Sequence, residues 1–158
     1  MTMNNDNFNT NSSGDFSAHE WLRYTRHLQL PQIGVSGQKK LKRSNVLIIG
    51  AGGLGSPVAL YLAAAGVGQI TIVDGDYVDV TNLQRQIIFT TDQVGQSKAL
   101  CAKERLLGLN PSITVVAVTE HLSINNAENL IKRADLILDC TDNFATRYLI
   151  NDICSQHK

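Results

Sequence analysis

Gly50, Gly52 and Gly55 form the pattern G-x-G-x-x-G, and Gly53 adds a further glycine inside it. Glycine lets a backbone turn sharply and approach a phosphate closely. A helix that starts at such a turn offers free N–H groups and a partial positive charge to the anion. The context matches that chemistry. Val46, Leu47, Ile48 and Ile49 precede the loop as a short apolar run, and a helical pattern follows from Ser56. The loop therefore points to a nucleotide, without saying which nucleotide or what reaction follows.

Further residues are candidates for chemistry around it. Asp74 lies about twenty residues beyond the glycine loop, where a carboxylate commonly bonds ribose hydroxyls; the alternative is a solvated aspartate at a strand end. Asp76 and Asp79 follow and are expected to cap turns or face water, with Asp76 near enough to reach a nucleotide. The run Asn82-Leu83-Gln84-Arg85-Gln86 supplies one guanidinium and several amides. Such groups suit phosphate recognition, although an ordinary surface loop fits the same residues. Lys98 opens a helical pattern, where its charge opposes the helix dipole unless an anion compensates. Asp142 lies in the segment Cys140-Thr141-Asp142-Asn143 and is placed to hold Mg²⁺ against a polyphosphate. His19, His27, His121 and His157 are too scattered for a metal site, and Cys101, Cys140 and Cys154 read as small core residues.

Alternating elements must position these groups. Short apolar runs predict strands at 46–49, 70–74, 114–118 and 136–139. Helical patterns lie at 56–65, 97–109, 125–133 and from 143 to about 154. This β-α-β-α order predicts an α/β, Rossmann-like, mostly parallel sheet with helices on both faces. In such a sheet the strands run in the order 3-2-1-4. The crevice between the first and fourth strands is then the switch point where ligands bind, so Asp142 should face the glycine loop. A short helical segment precedes the sheet. Ser17 to Glu20 reads as a capping box, followed by a helix through Trp21, Leu22, Tyr24 and Leu28, and a second helical stretch starts at Ser36. Residues 1–16, rich in Asn and Ser, are expected to form a disordered tail, leaving 17–158 as one nucleotide-binding domain. The crossover at 75–96 is unusually long, and Ile87, Ile88 and Phe89 within it argue for order and function.

Composition narrows the class. Fourteen Lys and Arg balance fourteen Asp and Glu, so no overall field draws the chain to nucleic acid or to a membrane. No apolar run reaches the roughly 18 residues of a membrane span. Three cysteines without a C-x-x-C pair, and no apolar signal-peptide core, point to reduced thiols in the cytoplasm.

Taken together, the segments from Trp21 to Cys154 resemble the ThiF/MoeB/HesA family, bacterial relatives of the ubiquitin-activating enzymes. The matching segments are Arg23 to Arg26, Gly50 to Gly55, Asp74-Gly75-Asp76, Asn82 to Gln86, Lys98 and Asp139 to Asn143. Within the family, Ala59 to Gly68 and Asn143 to Arg147 look slightly nearer ThiF. The resemblance implies an adenylyltransferase that binds ATP and Mg²⁺ and activates the C-terminal Gly-Gly carboxylate of a ubiquitin-like sulfur-carrier protein, in thiamin, molybdopterin or another sulfur pathway. It assigns Gly50, Gly52, Gly53 and Gly55 to the phosphate loop, Asp74 to the ribose, and Asp76 and Gln86 to the nucleotide pocket. It assigns Asn82, Arg85 and Lys98 to the phosphates and Asp142 to Mg²⁺. Arg26 would reach into a partner's site, which implies a homodimer.

Members of that family continue well past the length seen here, into further strands, two C-x-x-C zinc pairs and much of the carrier groove. The expectation is therefore a truncated domain without zinc, with a sheet left incomplete beyond its fourth strand. An NAD-dependent oxidoreductase module also accounts for the glycine loop and Asp74. It gives no reason for Arg85 and Lys98. A catalytically incomplete nucleotide-binding fragment is the third reading.

Overall fold

The computed structural model describes residues 16–156. The disorder expected for 1–16 thus lies outside the described residues except at Phe16, and so does His157. Phe16 corrects that boundary: its ring meets Trp21 and Tyr24 edge-on, with centroids 5.5 and 6.4 Å apart. Two compact units divide the chain at Lys39 and Lys40.

The first unit is helical. Ser17 caps α1 (Ala18–Arg23) through the reciprocal Ser17–Glu20 bonds of a capping box, as its sequence predicts. The single helix expected through Leu28 is instead broken at Tyr24, and α2 (Thr25–Leu28) restarts beyond it. The hydroxyl of Thr25 donates to the carbonyls of Trp21 and Leu22 at the break, a side-chain bond that competes with the regular ladder. In α3 (Gly34–Arg43), which begins earlier than its sequence suggests, Gln38 is fully buried and its Oε1 lies 2.9 Å from Nδ1 of His27.

The second unit is the parallel sheet. Strands β1 (Asn45–Ile49), β2 (Gln69–Val73), β3 (Thr114–Val118) and β4 (Leu136–Asp139) lie in the order β3-β2-β1-β4, all parallel. This is the order that the alternating pattern implies. Alternation along β1 divides the core in two. Val46 and Ile48 face one layer with Ala59, Ala63 and Leu106, from α4 (Gly55–Ala65) and α5 (Lys98–Leu109). Leu47 and Ile49 face the other with Ala127 and Ile150, from α6 (Ile124–Ile131) and α7 (Phe144–Gln156). Burying an Ile or Leu side chain stabilises by about 1.5–3 kcal/mol, so β1 and β2 anchor the unit. The outer strands are less protected, with Val116 and Leu136 partly exposed.

The long crossover is ordered and closed at its base. Tyr77 forms an antiparallel bridge with Ser97. The N–H of Val78 donates to Gln96 at 2.8 Å, and that of Gly95 to Val78 at 2.9 Å. Ile88 and Phe89 tuck into the α4–α5 layer. This neck presents the loop carrying Asn82, Arg85 and Gln86 as one piece. No helix among the described residues is long and apolar enough to cross a membrane.

Candidate functional site

A cavity of about 700 Å³ opens at the carboxyl ends of the strands, in the second unit. Its lining includes Gly50, Gly52, Gly53, Asp74, Asp76, Asn82, Arg85, Gln86, Lys98 and Asp142. Gly55 shapes the loop behind them. The predicted residues outside unit one thus converge on one place. Arg26 lies on α2 in the first unit.

The glycines are required by contact as well as by conformation. Gly50 has φ +94°, and a Cβ there would meet the carbonyl oxygen of Cys140 at 2.8 Å. A Cβ on Gly55 would meet the carbonyl oxygen of Gly50 at 1.9 Å. The first glycine therefore lets β1 meet the loop after β4, and the last lets α4 seat on β1. Between them, Gly52 and Gly53 leave backbone facing the cavity just ahead of the α4 N-terminus.

Asp74 locks this loop. It is only 9% exposed. Its Oδ2 accepts the N–H of Ala51 at 2.7 Å, and its Oδ1 accepts that of Asp76 at 2.8 Å. A carboxylate has about four lone-pair sites, so capacity remains for ribose hydroxyls.

The facing wall is made of side chains. Arg85 donates through Nη2 to Oδ1 of Asn82 at 2.9 Å, and its aliphatic stem lies 3.5 Å from where a Gly53 Cβ would be. Gln86 is 4% exposed; its Nε2 donates to Oδ1 of Asn82 at 3.3 Å, and its buried Oε1 has no hydrogen-bond partner among the described residues. Lys98 is almost fully buried, and its Nζ pairs with Oδ2 of Asp76 at 3.1 Å. The main-chain carbonyl of Asp76 accepts the backbone N–H of Lys98 at 3.0 Å. The carboxylate thus supplies the compensation that a lysine at a helix start needs. Asp79 is structural, as expected: bonds from the Thr81 hydroxyl and N–H hold its carboxyl below the usual carboxylate range.

Beyond β4, Asp139 accepts the Thr141 N–H and hydroxyl, and Arg147 donates to the Thr141 carbonyl at 2.7 Å. These bonds hold the turn that presents Asp142. No hydrogen bond or ion pair among the described residues engages the Asp142 carboxylate, which lines the cavity exposed. A free carboxylate lining the same cavity as the glycine loop fits the chemistry of Mg²⁺, which takes one or two carboxylates plus phosphate oxygens. Cys140 sits at the same turn, and burial, then the charge of Asp139, pushes its thiol up.

Two lining residues, His121 and Arg147, carried no assignment from the sequence. Position held the signal for His121: it lies just past the end of β3, on the ligand side of the sheet. Arg147 lies one turn into α7, where i+4 spacing returns a side chain toward the preceding loop.

A glycine loop, a strand-end carboxylate and converging cations define a Rossmann-like nucleotide-binding unit. The ThiF family model matches residues 24–158, and the chain belongs to that family. It is 57% identical over 136 residues to the probable adenylyltransferase/sulfurtransferase MoeZ of Mycobacterium tuberculosis, covering 86% of this chain and 35% of that protein. It is 51% identical over 137 residues to the sulfur carrier protein adenylyltransferase of Thermus thermophilus, covering 87% and 51%. Among solved structures, the tRNA N6-threonylcarbamoyladenosine dehydratase TcdA of E. coli, in complex with ATP, superposes with a TM-score of 0.84 at 28% identity, covering 89% and 58%. The chain thus spans between a third and about half of the curated relatives named here.

Proposed function

We propose that the protein binds ATP in this cavity and transfers AMP to the C-terminal Gly-Gly carboxylate of a ubiquitin-like sulfur carrier, releasing pyrophosphate. The observation that carries this reading is the convergence of Arg85, Lys98 and the unpaired Asp142 on the glycine loop. The names of the relatives, an adenylyltransferase/sulfurtransferase and a sulfur carrier protein adenylyltransferase, and the ATP complex of the TcdA neighbour support it.

In this reading the glycine-loop amides and the α4 N-terminus hold the phosphates. Asp74 orients the ribose. Asn82 positions Arg85. A carrier carboxylate oxygen attacks the α-phosphorus, and the bond to the pyrophosphate oxygen breaks. Arg85 and Lys98 stabilise the negative charge on the phosphoryl oxygens as this happens. The protein needs no nucleophile of its own, in keeping with a Cys140 thiol pushed up by burial. Mg²⁺, held by Asp142, would neutralise phosphate charge. Arg26 would act from a second copy in a homodimer. Three free cysteines suit a reducing cytoplasm. The name of the Thermus relative, a sulfur carrier protein adenylyltransferase, supports a sulfur-carrier pathway.

ATP–pyrophosphate exchange with a Gly-Gly-ended carrier tests the proposal. Exchange dependent on carrier and Mg²⁺ is expected. Well-folded protein that binds NADH and ignores ATP would overturn it.

A further inference from the structure

Asp76 stands between two basic side chains. Its Oδ2 lies 3.1 Å from Nζ of Lys98, and its Oδ1 lies 3.7 Å from Nε2 of His121. The two differ sharply in their surroundings. The Lys98 side chain is 7% exposed, while the His121 ring is 75% exposed and rests over Gly75. A buried ammonium is costly without a counter-charge, so Lys98 needs Asp76 while no anion occupies the cavity. A triphosphate supplies a second anion and changes that balance. Lys98 can then turn to the phosphates, which leaves the Asp76 carboxylate facing them with its charge unmatched. His121, already at its other oxygen, is placed to take it up. Of the other cations lining the cavity, Arg85 is held by Asn82 and Arg147 by the loop after β4, so neither is available for this task.

We propose that Asp76 holds Lys98 in reserve and that His121 replaces it on Asp76 when a triphosphate binds. His121 is then a positioning residue acting on affinity for the triphosphate through Asp76 and Lys98. This rests on the cavity's being an ATP site.

Calorimetric titration with Mg·ATP and with adenosine tests it in variants at position 121. His121→Arg sets a permanent cation beside Asp76, and His121→Gln a neutral amide. The expected result is ATP affinity at least about fivefold tighter in His121→Arg than in His121→Gln, with adenosine affinity equal in the two. Adding Asp76→Asn should collapse that difference to under about twofold, because His121 would have no carboxylate to act through. If Asp76→Asn does not fold, a crystal structure of His121→Arg with a non-hydrolysable ATP analogue reads the same point: the guanidinium is expected on the Asp76 carboxylate and Lys98 on the phosphates. Equal ATP affinities in the two His121 variants overturn the exchange. So does a difference that survives Asp76→Asn, or a guanidinium found on the phosphates in that structure, because either means direct contact of residue 121 with the phosphates. A wild-type protein that binds no ATP overturns the nucleotide reading, and this inference with it.

Discussion

The two walls of the cavity are built on opposite principles. The glycine-loop wall is backbone held rigidly: Gly50 and Gly55 sit against main-chain atoms, and Asp74 accepts two main-chain N–H bonds. The facing wall is charge carried on loops: Arg85 and Asp142 are exposed side chains on turns held by local bonds. The first wall cannot change without disturbing the fold. The second can change chemistry at small structural cost, which is why loops on a rigid scaffold carry reactivity. Substitutions in the two walls should therefore separate cleanly into effects on stability and effects on reaction.

The largest expected effect lies on the rigid wall. In Gly55→Ala the new methyl would fall 1.9 Å from the Gly50 carbonyl oxygen, closer than any contact allows. Either α4 or β1 must shift, at a cost of about 3 kcal/mol or more. Chemical denaturation measures this. Wild-type stability in Gly55→Ala would mean that the wall is not rigid, and the comparison would fail.

On the facing wall, Arg85→Ala and Asp142→Ala should each lower ATP–pyrophosphate exchange by about 100-fold or more. The melting temperature should stay within about 2 °C of wild type, because exposed side chains away from the core contribute little to stability. Near wild-type exchange in either variant would refute its assigned role. A large loss of stability would erase the distinction between the walls.

Asp74 belongs to both categories and sharpens the boundary. Asp74→Ala leaves the N–H groups of Ala51 and Asp76 without acceptors, at a cost of about 2 kcal/mol, or about 5 °C in melting temperature. Affinity for adenosine should fall as well, since a ribose partner is lost. A change in stability with adenosine binding intact would make Asp74 purely a lock.

The same division decides what could be read from the sequence. The four strands, their order and the glycine loop follow local patterns: apolar runs, helical spacing and a fixed glycine spacing. Asp74 was legible as a carboxylate at a strand end. Its grip on the N–H of Ala51, across 23 residues, was not, because main-chain partners leave no residue signature. Lys98 stood out as a cation at a helix start, but the anion compensating it in the structure is Asp76 rather than a phosphate. In the sequence His121 reads as a scattered histidine because sheet topology, not any local motif, brings it to the cavity, and Arg147 carries no site role there although its helical spacing turns it back toward the loop after β4. The break at Tyr24 likewise depends on one Thr25 hydroxyl choosing main-chain acceptors.

The smallest effect concerns Cys140, which sits where the walls meet. Its carbonyl lies against Gly50, and its Cβ lies 3.5 Å from where a Gly55 Cβ would be. Burial, reinforced by the negative charge of Asp139, pushes its thiol up, so less thiolate is present at neutral pH. Alkylation of Cys140 by iodoacetamide should therefore run several-fold slower than that of free cysteine, and its rate should keep rising at pH values where free cysteine has levelled off. Saturating Mg·ATP should slow it further, since Cys140 lines the nucleotide cavity. Peptide mass spectrometry after timed quenching reads the rate at this position alone. Protection by ATP of Cys140 but not Cys154 would place the nucleotide between the two walls. Equal protection at both positions would instead indicate a general tightening of the protein, and no protection at either would put the nucleotide away from this junction.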